Sequence, residues 1–150
     1  MKLKFPFRYI LLGGIFFIFD RILKWLAVSK FEGSHLMNKY FGWETFYNTG
    51  VAFGIPAPKA VVIILTVFII FLVVLFYFQH SKTEVAKQNN LVKLGLVMIL
   101  AGALSNLIDR LLFEYTIDYI KIFQGVINLA DIFIVLGFVI YFSSLSKEEK

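Results

Sequence analysis

Residues 60–78 read AVVIILTVFIIFLVVLFYF, a run with no charged side chain and hardly a polar one. A helix rises about 1.5 Å per residue, so roughly 20 apolar residues cross a hydrocarbon core about 30 Å thick. In water a surface helix keeps a polar face, and this run has none. It therefore reads as a transmembrane span, and composition extends that reading to the whole chain. Of 150 residues, 59% are hydrophobic, only 17% are charged and eighteen are Phe. A water-facing domain needs more polar cover than that. The same balance excludes disorder and fibrous repeats. With no Cys, disulfide scaffolds, thiol catalysis, iron–sulfur ligation and Cys-ligated zinc are excluded as well.

Comparable apolar segments lie at about 7–28, 91–113 and 126–145, which makes four spans. The first is the least apolar, because Asp20, Arg21 and Lys24 sit near its end. Lys2, Lys4 and Arg8 before an apolar run that ends in Ala27-Val28-Ser29 also resemble a secretion signal with its cleavage site. The charges inside the run and its full spanning length favour a retained helix. The net charge of +5 is spread over segments between apolar runs, a distribution that sets membrane topology and speaks against a nucleic-acid partner. Lys2, Lys4, Arg8, His80, Lys82, Lys87, Lys93, Lys147 and Lys150 share one side of a four-span chain, against Lys30, Lys39 and Lys59 on the other. That excess places both termini in the cytoplasm.

Connector 29–58 is long and aromatic, with Trp43, Phe46 and Tyr47, and Asn48-Thr49-Gly50 is a turn signal. The expected architecture is an all-α membrane protein, one integral-membrane domain over 1–150 with four transmembrane helices. A small extracytoplasmic, partly β element is expected between helices one and two, held at headgroup level by Trp25 and Trp43.

Four-span parity then brings the ionisable residues to one face. Asp20 and Lys24 end the first helix, and Asn48 lies in the connector beyond it. Asn106, Asp109 and Arg110 end the third helix, Asp118 follows, and Asn128 and Asp131 begin the fourth. A charge in mid-bilayer costs about 2.5–3.5 kcal/mol on insertion scales, so such residues pair, face an interior or serve function. Spacing suggests an Asp20–Lys24 pair four residues apart and an Asp109–Arg110 neighbour pair. Gly102, Ala103 and Ser105 give the third helix a surface for close packing. His35, in a polar connector, reads as solvated.

Without Cys or paired His, the chemistry left to such a cluster is that of carboxylates. Two that approach closely share a proton, because like charges in a poorly solvated site repel. The ionised partner takes a proton from water and the protonated one donates to a carbonyl or leaving amine, which amounts to peptide hydrolysis. Asp118 and Asp131 are the best candidates, with Asp109 and Asp20 engaged by their basic neighbours. A carboxylate–metal site is the rival use of the same atoms. An ion or proton pathway and a purely structural subunit are the rival functions.

These residues resemble the lipoprotein signal peptidases (signal peptidase II), over nearly the whole chain. Asp20 and Lys24 match a D-x-x-x-K motif, and Asn48-Thr49-Gly50-Val51-Ala52-Phe53 matches N-x-G-x-A-F/W. Gly102-Ala103-Leu104-Ser105-Asn106-Leu107-Ile108-Asp109-Arg110 is similar to G-A-x-G-N-x-x-D-R, and Asn128-Leu129-Ala130-Asp131 to N-x-A-D. Asp118-Tyr119-Ile120 stands at the family's distance between the last two. Ser105 replaces a usual Gly, Thr116-Ile117 a usual Val-Val, and Arg21 and Leu23 differ from the usual Gln and Thr or Ser.

The resemblance implies an aspartyl endopeptidase of the bacterial cytoplasmic membrane. It would remove the signal peptide from prolipoproteins just before a diacylglyceryl-modified cysteine, with Asp118 and Asp131 catalytic. Asp20, Lys24, Asn48, Gly50, Ala52, Gly102, Asn106, Asp109, Arg110, Asn128 and Ala130 would bind substrate or support the site. Membrane lipids are the other expected partners, no metal or other cofactor is implied, and the chain is expected to act as a monomer. The connector around Gly50 is expected to clamp the substrate over the carboxylates.

Overall fold

A computed structural model of the chain describes residues 7–51, 55–80 and 90–145. In chain order these form α1 (Phe7–Ser29), β1 (Ser34–Leu36), β2 (Phe41–Asn48), α2 (Lys59–His80), α3 (Asn90–Phe113), β3 (Thr116–Ile122), β4 (Gly125–Ile127) and α4 (Leu129–Leu145). Ala52 lies outside the described residues, as do Lys2, Lys4, Lys82, Lys87, Lys147 and Lys150.

The third helix, α3, is the one the others pack on, and α4 covers most of its length. The contact is close because small residues stand where the helices cross. A Cβ on Gly137 would lie 2.6 Å from the Gly95 carbonyl oxygen, and one on Gly102 would lie 2.4 Å from that of Ala130. Backbone this near leaves no room for side chains, a solution favoured where hydrocarbon surrounds both helices. The sequence showed the Gly102 end of this seam but not its Gly95–Gly137 end, where no polar motif marks the glycines. These contacts also fix direction: Gly95 meets Gly137 while Gly102 meets Ala130, so α4 runs antiparallel to α3. The first helix, α1, runs parallel to α3, since Arg8 Nη2 donates to Asn90 Oδ1 (2.6 Å) at one end and Lys24 Nζ to Asn106 Oδ1 (2.8 Å) at the other. On the remaining side Val73 and Tyr77 of α2 share a core with Val92, Leu96 and Ile99 of α3 and Tyr141 of α4.

Among the described residues two helices, α2 and α3, are long and apolar enough to cross a membrane. The α3 span is 67% buried and that of α2 only 17%, so α2 turns most of its apolar surface outward, where hydrocarbon is the compatible solvent. The α4 helix is apolar but has 17 residues, and α1 carries Asp20, Arg21 and Lys24 in its last third.

The β element expected between the first two helices is present and extends further than expected. It is a four-stranded antiparallel sheet in the order β1-β2-β3-β4, built from both the 29–58 connector and the one between α3 and α4. Val126 and Ile127, expected to begin the fourth helix, pair instead with Lys121 and Ile120, and α4 starts at Leu129. The reason is local: Glu114 (φ 72°) ends α3 in a left-handed residue, and Thr116 to Ile122 is dense in β-branched side chains that suit a strand. Ala27 of α1 packs on Ile117 and Tyr119 of β3, and Trp43, expected as a headgroup anchor, stacks on Tyr119 at 4.8 Å between centroids.

Gly137→Leu should force α3 and α4 apart and lower the unfolding midpoint in detergent, at the roughly 1–3 kcal/mol typical of overpacking. Gly14→Ala, whose Cβ would meet nothing within 4 Å, should not lower that midpoint and should raise it by the roughly 0.5–1 kcal/mol that separates Ala from Gly inside a helix.

Candidate active site

Alternation along β3 turns Asp118 and Tyr119 to opposite faces, and both are buried. Phe46 opposes Asp118 in the β2–β3 register, which puts Asn48 on the face shared with Asp118. Asn48 Nδ2 donates to Asp118 Oδ2 at 2.9 Å, and Asn128 Nδ2 donates to Asp118 Oδ1 at 2.6 Å. The Asn48 oxygen accepts the Gly50 N–H (2.9 Å), closing the turn its motif signalled.

Asp131 is placed by the start of its own helix. Asn128 is the N-cap of α4: its Oδ1 accepts the Asp131 N–H (2.9 Å), and Asp131 Oδ2 accepts the Asn128 N–H (3.2 Å). This reciprocal capping box fixes the side chain of the third helical residue. The other carboxylate oxygen of Asp131 accepts from Asn106 Nδ2 at 2.8 Å. Each of the two carboxylates thus receives two N–H donors, and Asn128 bonds to both.

Beneath them lies a buried ionic layer. Lys24 Nζ is 3.1 Å from Asp20 Oδ2 and 2.8 Å from Asp109 Oδ2, with all three side chains shut off from solvent. Arg21 takes the other oxygen of Asp109. The expected Asp20–Lys24 pair is present, but the expected Asp109–Arg110 pair is not. Successive residues on a helix point about 100° apart, and Asp109 faces α1 while Arg110 turns toward the loop, its Nη2 3.5 Å from the Gly50 oxygen. There Arg110 feels the carboxylates of both Asp131 and Asp118. Asp20 Oδ1 accepts the Ala130 N–H (3.0 Å) and the Tyr119 hydroxyl (3.2 Å), and that hydroxyl accepts the Leu129 N–H (3.1 Å). The first three amides of α4 are therefore capped by Tyr119, Asp20 and Asn128 in turn.

Charge counting shows what this favours. Asp20, Arg21, Lys24 and Asp109 sum to zero. Arg110 then balances Asp118 and Asp131 when the two acids hold one proton between them. Burial first, then the Asp131 charge, pushes the Asp118 carboxyl up to about 7 against the pull of the Asn48 and Asn128 amides. Burial, followed by the Asp20 carboxylate, pushes the Tyr119 phenol above its ordinary value, so it stays a donor. A buried carboxyl pushed up to about 7 beside a second carboxylate suits proton transfer to and from water at physiological pH.

The sequence profile described as signal peptidase (SPase) II matches residues 12–146. The chain belongs to the signal peptidase II family. It is 31% identical over 150 residues to the lipoprotein signal peptidase of Clostridium novyi (strain NT), an alignment that covers 94% of this chain and 97% of that one. The lipoprotein signal peptidase of Caldanaerobacter subterraneus subsp. tengcongensis is 37% identical over 126 residues, 81% of this chain and 83% of its own. A bacterial membrane enzyme solved by the in meso method at 2.3 Å shares the fold, with TM-score 0.84 and 24% identity over 98% of this chain and 92% of that one. Family membership makes the chain a peptidase.

The structure gathers Asp20, Lys24, Asn48, Gly50, Asn106, Asp109, Arg110, Asn128 and Ala130 around Asp118 and Asp131, while Gly102 sits on the α3–α4 seam against Ala130. Three members of the layer were not singled out by sequence reasoning: Arg21, Tyr119 and Ser105, whose Oγ lies 2.5 Å from Asp20 Oδ2. Arg21 drew notice as a charge near the end of the first span and Ser105 as part of a packing surface, and both as departures from the family motifs, but neither as a member of the site. Spacing could have found two of them, because Arg21 and Lys24 stand three apart on α1 and Ser105 and Asp109 four apart on α3.

Asp109→Asn should strand Lys24 and Arg21 without their carboxylate and destabilise the chain by about 3–5 kcal/mol, read as a lowered unfolding midpoint. Glu114→Gln removes an ion pair with Lys59 that is open to solvent and should leave the midpoint unchanged.

Proposed function

We propose that this peptidase is an aspartyl endopeptidase that removes the signal peptide from diacylglyceryl-modified prolipoproteins, cutting just before the lipidated cysteine. The observation that carries the reading is the joint hold of Asn128 on Asp118 and Asp131, two carboxylates brought together from different elements. One ionised and one protonated carboxyl are what metal-independent, non-covalent hydrolysis needs. The ionised member draws a proton from a water as that water attacks the scissile carbonyl. The protonated member donates to the carbonyl oxygen as the tetrahedral centre forms. Collapse of that centre returns a proton to the leaving amine and resets the pair. Arg110 and the Gly50 backbone stand where a substrate main chain would run, with the Asn48–Gly50 turn as its clamp.

In this reading α1 to α4 all span the bacterial cytoplasmic membrane, both termini are cytoplasmic, and the carboxylates lie toward the extracytoplasmic face. A lipidated substrate, anchored by its acyl chains, presents its scissile bond at headgroup depth and enters sideways from the bilayer. The chain acts as a monomer among membrane lipids.

With purified protein and a diacylglyceryl-modified precursor, Asp118→Asn and Asp131→Asn should each abolish cleavage while the protein still inserts. Residual turnover in either variant, or activity lost to a chelator and restored by a divalent cation, would remove the carboxylate pair from the mechanism. The pH profile gives a second check. Once the shared proton leaves Asp118, near pH 7, the pair has no acid, so kcat/KM should fall as pH rises through that value. The Asn48 amide stabilises the ionised form, so Asn48→Ala should raise that pKa and carry the alkaline limb to higher pH.

A further inference from the structure

Where β2 runs beside β3, the ladder slips by one residue. Trp43 opposes Ile120 and Phe46 opposes Asp118, so three steps along β2 match two along β3. The extra residue is a bulge, and it reverses the face of every side chain after it. In an unbroken ladder Thr45 would stand opposite Asp118, and Phe46 opposite Ile117. Instead Thr45 is turned to α1, its Oγ1 donating to the Ala27 carbonyl oxygen at 3.0 Å, and its N–H donates to the Gly33 oxygen at 2.9 Å. Glu44 is held by Lys121 Nζ at 3.0 Å. Both residues of the bulge are pinned, and with them the register that brings Phe46 and Asn48 onto the Asp118 face.

The result is an aromatic ring beside a buried acid. Residues directly opposite in an antiparallel pair share a face, with Cβ atoms about 4.5–5.5 Å apart. Asn48 and Asn128 hold the Asp118 carboxylate, and that residue is 1% exposed. Phe46, across from it, is 39% exposed. The next residue, Tyr47, packs its ring on Tyr115 at 4.8 Å between centroids, whereas the Phe46 ring has no ring partner among the described residues. A single open apolar side chain is ordinary on a surface. What sets this one apart is its place, one cross-strand step from Asp118.

Two features narrow what the ring can meet. Both β2 and β3 are inner strands of the sheet, so a peptide cannot add to them as a further strand and is met there by side chains. The two strands also lie past the ends of α1 at Ser29 and α3 at Phe113, beyond the apolar helices, where a peptide rather than an acyl chain runs. We propose that Phe46 is a specificity-determining residue, its ring the wall on which the precursor lays an apolar side chain of its signal peptide next to the scissile bond. The inference rests on the reading of Asp118 as a reacting acid and adds to it the group that selects the peptide.

The test uses purified full-length protein and diacylglyceryl-modified precursors in which each of the three residues before the cut is in turn Leu or Ala. Phe46→Ala should lower kcat/KM roughly tenfold where Leu stands at one of these positions, with the change in KM. The loss should shrink where Ala stands there, because the ring then has little to hold. Phe46→Leu, which keeps apolar bulk, should retain most of the wild-type preference. Equal losses with every precursor, or none with any, overturn the proposal. So does a loss that follows the length of the acyl chains on the precursor, which would give the ring to the lipid. A shifted alkaline limb of the pH profile with the preference intact would make Phe46 a cover for Asp118 and overturns it too. Asp118→Asn is measured alongside. If that variant still cleaves, the reading of the acids fails and this proposal with it; if it is inactive while Phe46→Ala keeps the wild-type preference, the proposal alone fails.

Discussion

One ammonium group, that of Lys24, organises the polar end of this molecule. It has three N–H donors and finds three close acceptors, in Asp20, Asp109 and Asn106. A lysine fully removed from water is tolerated only when its donors are met and its charge is balanced. Each acceptor then passes the constraint on. Asp20 caps the Ala130 amide and so seats α4, and Asp109 receives the Ile117 N–H (3.3 Å), one residue before Asp118. Asn106, its oxygen turned to the ammonium, is left with its amide hydrogens for Asp131.

The amide side chains act as one-way couplers. An Asn presents an acceptor at one atom and donors at the other, so a cation on one side dictates a donor on the other. Asn128 follows the same logic, giving hydrogens to Asp118 and to the Asn106 oxygen (3.1 Å) while its own oxygen holds the Asp131 backbone. Among the described residues, both carboxylates are therefore fixed by donors and neither by a cation in direct contact. A direct ion pair would hold an acid ionised; amide donors fix its position and leave room for a proton to come and go.

Much of this was legible in the chain itself. The run at 60–78 announced the membrane, and parity gathered the polar residues at one end because antiparallel helices return every second terminus to the same level. Asn128 and Asp131, three apart at a helix start, could be read as local geometry. The sheet was only half visible, because β3 fell in a short connector between two expected spans and β4 at the apolar start of the fourth, where a strand and a helix look alike. Arg21 was missed for a different reason. Its partner lies 88 residues away, and adjacency made Arg110 the obvious mate for Asp109. Sequence proximity misled there because neighbours on a helix face different ways.

The pairing of β2 with β3 also bears on how the molecule comes into being. Asn48 and Asp118 are separated by 70 residues, and two helices leave the ribosome between them. A nascent chain that has delivered only its first connector holds one half of a sheet, an amide with no carboxylate to orient and an unpaired strand edge. The contact between Asn48 and Asp118 therefore forms late, once β3 and the helices before it have been made.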